Sequence, residues 1–350
     1  MPKKQPTRYA FIGAGAIAQR RHLPECSANP DAVVAAIADP VKGRAAEQAE
    51  RFGGVAFTRW EKMLDETDLD AVVVATPNAL HAPQTIAALK RGLHVLVEKP
   101  MATTRTEARQ MIAAAKKAKR HLMVGMNQRL MPAHIKAREV LKRGTLGRVL
   151  SFETSFKHGG PDGWSVDGAS SWFFKKKLAV LGVNGDLGIH KADLMRYLLG
   201  EEFTHVSGQV TTRDKTLPDG RPIPVDDNAW LTLKTESGAI GSINISWTNY
   251  GSYEANGTTI LCENGVMRIG EDPKFGVVVQ LKDGQQECYA TGAMASNNAQ
   301  VASGVIDTFT QCIRERRKPT IDGLEGYQAL NVILTAVEAS KEGKTKRIGR

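Results

Sequence analysis

No stretch of this 350-residue chain comes near the roughly eighteen consecutive apolar residues that a membrane-spanning helix needs. The N-terminal MPKKQPTRYAFIGAG has no apolar signal core with a cleavage site, and its first apolar run passes straight into a glycine motif. Both absences lead to the expectation of a cytoplasmic protein with no membrane partner. Cysteine is scarce, with residues 26, 262, 288 and 312 only. None forms a Cys-x-x-Cys pair and none has a histidine at ligand spacing, so the thiols are expected to be reduced and structural and no metal site is expected. Internal repeats and low-complexity segments are missing too. The net charge of +10 invites a nucleic-acid reading, but no single basic stripe carries it. The densest clusters are KKAKR at 116–120, KKK at 175–177 and KEGKTKRIGR at the C-terminus. The first closes an amphipathic helix, where cations suit the negative helix end. No nucleic-acid partner is expected.

What is present is a chain long enough for two cores, with 42% hydrophobic and 24% charged residues, ordinary for a globular protein. Up to about residue 127, short apolar runs alternate with helical patterns: RYAFIGAG, AVVAAIADP, DAVVVATPN, HVLVEKP and HLMVGMN read as strands. Strands apolar on both faces and separated by helices predict a parallel sheet covered on both sides. The first helix, AIAQRRHLPECSAN, is expected to break at Pro24. After residue 127 the pattern changes. RVLSFETSFK alternates, a loop rich in glycine, tryptophan and lysine runs over 157–183, and GDLGIHKADLMRYLLG reads as a helix. Several strand-like segments follow with turn signals in ESGA and CENGV, and two helices starting near 299 and 323 close the chain. The predicted fold is α/β: a doubly wound Rossmann domain over 1–127, then an α+β domain over 128–350 with a mostly antiparallel, open sheet.

Gly13-Ala14-Gly15-Ala16-Ile17-Ala18 reads G-x-G-x-x-A directly after a strand and before a helix. Gly13 allows the tight turn, Gly15 lets the backbone approach a pyrophosphate, and small Ala18 lets the helix pack close to the sheet. The helix start, with Ala16 and Ile17, offers free N–H groups to phosphates. A second strand ends in Asp39 at the spacing of a ribose-binding acid. A carboxylate there accepts bonds from ribose hydroxyls and repels a 2′-phosphate, so NAD is expected over NADP, with Lys42 and Arg44 partly offsetting the repulsion. Asp39 also reads as a helix cap before Pro40.

FIGAGAIA, AIADP, ATPNALH, VEKP, GMNQR and GDLGIHKADLMRYLLG, in this order and spacing, resemble the glucose–fructose oxidoreductase / inositol dehydrogenase / MocA (Gfo/Idh/MocA) family. The resemblance implies an NAD(P)-dependent dehydrogenase acting on a secondary alcohol of a sugar or inositol. It implies that Lys99, at the end of a central strand beside the nicotinamide, stabilises the substrate oxygen as the hydroxyl loses its proton. Glu98 would support the nicotinamide end or hold Lys99, and the bond before Pro100 would be cis. His190 would accept the proton and Asp186 would hold a substrate hydroxyl or orient the site. Asp193 reads either as a partner of His190 or as a surface acid. Thr76, Pro77, Asn78 and His81 would lie under the cofactor, though ordinary turn chemistry explains Pro77 and Asn78 equally. Asn127 would sit on the cofactor side and Arg129 on the substrate side. Lys157, His158, Trp164 and Trp172 would line or cover a pocket, or simply pack. An open antiparallel sheet leads to the expectation of a homodimer or homotetramer through the second domain. Two alternatives stand beside this reading. One is an NAD-dependent glycosidase working by transient sugar oxidation; the other is a dinucleotide-binding sensor without catalysis.

Overall fold

The computed structural model describes residues 5–251, 254–292 and 302–349 and divides into two compact units. The first comprises 1–127 with 164–166 and 297–327. Its sheet contains β1 (Thr7–Ile12), β2 (Ala32–Ala38), β3 (Val55–Phe57), β4 (Ala71–Val74), β5 (His94–Val97) and β6 (Leu122–Val124). The strand order is β3-β2-β1-β4-β5-β6 and every pair is parallel. The strands of continuous apolar character do what that character demands: all four residues of β4 are buried, with helices between the strands. These helices are α1 (Leu23–Ala28), α2 (Arg44–Phe52), α3 (Trp60–Glu66), α4 (Asn78–Lys90) and α5 (Arg105–Ala118). Thr104 and Glu107 close the start of α5 with a reciprocal capping box. Strand order reverses between β1 and β4, which opens a crevice at the carboxyl ends of the strands.

Register aligns those ends. Ile12 pairs with both Ala38 and Val74, Val74 with Val97, and Val97 with Val124. The residues that follow, Gly13, Asp39, Ala75, Glu98 and Gly125, therefore stand in one row although the chain delivers them from five separate strands.

Two expectations for this unit meet a different outcome. Pro24 does not break the first helix. A π-helical turn over Ala18–His22 runs into α1, with Leu23 N–H bonded to Ala18 O five residues back. The wide turn accommodates the proline ring that a regular α-helix would reject. Residues 302–327, read as part of the second domain, pack in the first unit. Tyr9 Oη lies 2.8 Å from Thr310 Oγ1, Glu25 accepts from Ile306 N at 3.1 Å, and Arg314 pairs with Asp31 at 2.7 Å. Each contact joins residues far apart in sequence, so no local pattern announces it. Residues 299–301, where a helix was expected to start, lie outside the described residues.

The second unit comprises 128–163, 167–296 and 328–350. It contains α6 (Pro132–Lys142), α7 (Lys176–Ala179) and α8 (Ile189–Leu199). Its strands are β7 (Val149–Lys157), β8 (Phe203–Thr211), β9 (Asn228–Thr235), β10 (Ile240–Ser246), β11 (Thr258–Cys262), β12 (Gly265–Ile269), β13 (Val277–Leu281), β14 (Gln286–Tyr289) and β15 (Lys346–Arg347). They form one sheet in the order β14-β13-β12-β11-β7-β10-β9-β8-β15, antiparallel except for β7 with β10. Of the two helices toward the C-terminus, α9 (Val305–Glu315) belongs to the first unit and α10 (Gly323–Glu342) supplies residues 328–342 to the second. Alternation along the strands sorts the faces. Phe152, Thr154 and Phe156 of β7 and Ala229, Leu231 and Leu233 of β9 are buried, while Trp230, Ile240 and Leu261 stand exposed on the other face.

Candidate active site

In the first unit the site residues are held by one another. Gly13 has φ of +95°, and a Cβ there would meet Ala75 O at 2.4 Å, so only glycine fits the turn. A Cβ on Gly15 would meet nothing within 4 Å, which leaves open space above the loop for a phosphate. Asp39 Oδ2 accepts from Ala14 N and its Oδ1 from Val41 N, both at 2.9 Å, so this carboxylate ties the glycine loop to the end of β2. Arg44 lies 3.8 Å from Asp39 Oδ1. This arrangement fits a dinucleotide, with the phosphates over Gly15 and the ribose at Asp39.

His81 brackets the next part of the row. Its Nδ1 lies 2.8 Å from Pro100 O and its Nε2 2.8 Å from Thr76 O, so one imidazole links the Thr76-Pro77-Asn78 loop to the end of β5. Burial pushes this ring below the ordinary histidine value, against the pull of the two carbonyls. Thr76 Oγ1 donates to Gln84 at 2.6 Å and Asn78 is buried at the start of α4. Beyond β5, the Lys99–Pro100 bond is cis. Glu98 is buried, its Oε1 2.7 Å from His22 Nε2 and its Oε2 accepting from Lys99 N at 3.1 Å. Burial would push this carboxyl up; contact with His22 and the cations Lys99 and Arg21 outweigh that and bring it down to about 2. The half-buried Lys99 follows directly on this fixed anion.

In the second unit the motif around Asp186 is a π-helical turn, Asn184–Gly188, which leads into α8. Glycine is required there by packing: a Cβ on Gly188 would stand 2.7 Å from Ile245, and one on Gly182 would strike Asp226 O at 1.9 Å. Asp226 holds the entry to the turn, its carboxylate accepting from Gly182 N at 2.9 Å and Asn184 N at 2.7 Å. Asp186 is buried, and Oδ2 accepts from the indole N–H of Trp247 at 3.1 Å, with His158 Nε2 4.0 Å away. His190 is buried too, its ring 6.1 Å from that of Phe156. Two π-helical turns are thus found among the described residues, one after the glycine loop and one at Asp186; such turns are frequent at functional sites.

Other residues expected at the site have different occupations. Arg129 grips Asp193 with both arms of its guanidinium, at 2.7 and 2.6 Å, and both are buried. Asp193 is therefore the partner of Arg129 rather than a surface acid, and the planar fork of Arg129 is engaged by it. Lys157 follows Phe156 on β7 and so points to the opposite face, where its Nζ lies 5.5 Å from the ring centre of exposed Trp230. It is not brought to Asp186. Trp172 stacks on Phe173 at 3.9 Å, and Phe173 and Phe174 meet Trp247 edge-on at 6.1 Å. The long loop thus builds the wall behind Trp247. Asn127 is buried in the short turn at the end of the first unit. Motif reading missed Trp247, Asp226 and His22, which contact Asp186, the entry to its turn and Glu98. Among the described residues no group of three or more His, Cys, Asp or Glu is placed to hold a metal, and no helix is long and apolar enough to cross a membrane.

Two family models match the chain. One, an oxidoreductase family with an NAD-binding Rossmann fold, covers residues 7–126, and the other, the Gfo/Idh/MocA C-terminal domain, covers 134–268. The chain belongs to the Gfo/Idh/MocA oxidoreductase family. It is similar to levoglucosan dehydrogenase of Pseudarthrobacter phenanthrenivorans, 35% identical over 61% of this chain and 60% of that protein. It is 32% identical to D-glucoside 3-dehydrogenase of Escherichia coli over 67% of this chain and 68% of that one. A solved levoglucosan dehydrogenase in complex with NADH and levoglucosan superimposes with a TM-score of 0.87 and 26% identity, covering 99% of this chain and 100% of that one. As a family member the chain is an oxidoreductase whose first unit is an NAD-binding Rossmann fold.

Proposed function

We propose that this oxidoreductase interconverts a secondary alcohol and a ketone on a sugar or inositol, with Lys99 and His190 handling the proton. Residues 1–127, with the segment 302–327 packed on them, form the cofactor-binding domain, and the rest of 128–350 forms the substrate domain. Bound NAD supplies the hydride acceptor. Asp39 favours that cofactor over its 2′-phosphorylated form through its negative charge. Lys99 places an ammonium where negative charge develops on the substrate oxygen, and His190 takes the hydroxyl proton. Asp186, oriented by Trp247, accepts a hydrogen bond from a substrate hydroxyl. The hydrogen bond from Trp247 to Asp186 carries this reading, because it fixes a buried carboxylate one turn ahead of a buried imidazole, as recognition of a polyol requires. The names of the relatives support the substrate class. The exposed Trp230, Ile240 and Leu261 on the outer face of the second sheet suit contact with another copy of the chain in a homodimer or homotetramer.

The test is a spectrophotometric panel of levoglucosan, glucosides, inositols and free monosaccharides with NAD and NADP. Stoichiometric NADH with one or more of these supports the reading. Glycosidic cleavage without net NADH would move it to the NAD-dependent glycosidase, and tight NADH binding without turnover on any of them would leave a sensor.

A further inference from the structure

His22 is fully buried and is the last residue of the π-helical turn that follows the glycine loop. Nothing in the proposed reaction uses it. Its Nδ1 has no hydrogen-bond partner among the described residues. A buried imidazole with one idle nitrogen costs stability, so the other nitrogen must carry its reason for being there. That nitrogen, Nε2, lies 2.7 Å from Glu98 Oε1 and donates to it. The second oxygen of Glu98 accepts from the backbone of Lys99 at 3.1 Å. The surroundings are shaped for this carboxylate: a Cβ on Gly125 would stand 3.0 Å from Glu98 Oε1. Arg21 beside His22, Lys99 on the same segment and His81 from α4 are the other titratable groups that act on Glu98.

We infer that His22 is a positioning residue for the reaction, holding the Glu98 carboxylate ionised and oriented so that Glu98 in turn fixes the segment that carries Lys99. This rests on the dehydrogenase reading and adds a residue to it. A wide π turn gives the placement a cause, because it shifts the register of the helix by which the imidazole reaches β5. Without the His22 donor, Lys99 and Arg21 remain to oppose burial, and the balance moves toward the protonated form of Glu98.

Three variants test it. His22→Leu keeps bulk and removes the donor, His22→Asn is too short to reach Glu98, and His22→Gln restores an N–H near the position of Nε2. The readouts are kcat against pH, the NADH dissociation constant, and the thermal midpoint between pH 4.5 and 7.5. We expect His22→Leu and His22→Asn to lower kcat by about tenfold or more, with NADH affinity within about twofold of wild type. The acid limb of the kcat profile moves to higher pH in both, and His22→Gln recovers most of the loss. The gap in thermal midpoint between wild type and His22→Leu widens from pH 4.5 to 7.5, because the variant ionises a buried carboxyl that has lost its strongest counterweight to burial. A gap independent of pH, with an unmoved kcat profile in all three variants, overturns the inference and leaves His22 as packing. Should wild type oxidise none of the polyols, the functional reading fails, while the widening gap still decides the His22–Glu98 linkage. Should His22→Leu fail to fold, the contrast of His22→Gln with His22→Asn decides it in the same terms.

Discussion

The row of strand ends in the first unit and the π turn in the second both present functional side chains, but they are assembled by opposite means. In the first, each group sits at a strand terminus whose position the parallel register dictates, and a glycine, an acid or a proline beside it marks the place. In the second, the Asp-x-Gly-x-His motif supplies Asp186 and His190, yet what orients Asp186 is Trp247, 61 residues away, backed by rings from a loop without regular pattern. The parallel sheet positions by topology, and the larger sheet positions by packing. Substitutions that disturb the packing in the second unit should therefore reach the chemistry, whereas in the first unit the electrostatics of single groups should dominate.

Trp247→Phe probes this contrast most strongly. It removes the N–H that holds Asp186 and part of a fully buried side chain. We expect kcat to fall by about tenfold and stability by about 2 kcal/mol, read by turnover and by denaturant unfolding. An unchanged kcat would show that Asp186 needs no such anchor. Asp39→Asn keeps an oxygen for the glycine loop and removes the charge. We expect the ratio of NAD to NADP affinity to fall by about tenfold, measured by fluorescence titration of the reduced cofactors, with little change in stability. An unaltered ratio would mean that Arg44 already cancels the charge of Asp39.

Lys191 gives the smallest effect on turnover. It is fully buried beside His190 in sequence, its Nζ has no hydrogen-bond partner among the described residues, and burial brings its ammonium down to about 7 despite Glu254. Between that value and the ordinary lysine value of 10.5 the unfolded chain binds a proton that the fold does not, so this group makes stability rise with pH across the interval. Lys191→Met should be about 1–2 kcal/mol more stable than wild type at pH 6 and lack the rise above pH 7, as read by urea unfolding at each pH. Equal slopes in the two proteins would place a counter-charge or water at Nζ.

How much of this was legible in the sequence follows the same division. The glycine loop, Asp39, the Glu98-Lys99 pair and five of the six parallel strands announce themselves, because each motif and the element that carries it are contiguous; the three-residue, largely exposed β3 has no apolar run to mark it. Lys157 could have been assigned to its face from the alternation in RVLSFETSFK, which puts it opposite Phe156. Other features have no local trace. Arg129 finds Asp193 across 64 residues, and His22 finds Glu98 across 76. The docking of 302–327 in the first unit depends on side chains of β1 and α1 that carry no motif. Neither π turn is visible as such, since its residues have the same helical periodicity as their neighbours.

The account turns on Lys99 acting on the substrate oxygen and not on the cofactor. Its most direct test is Lys99→Ala, measured both for NADH dissociation constant and for kcat with the best substrate of the panel. The account predicts kcat lower by about 10²–10⁴-fold with NADH affinity within about threefold of wild type. Turnover at the wild-type rate, or a loss explained wholly by weakened NADH binding, would contradict it.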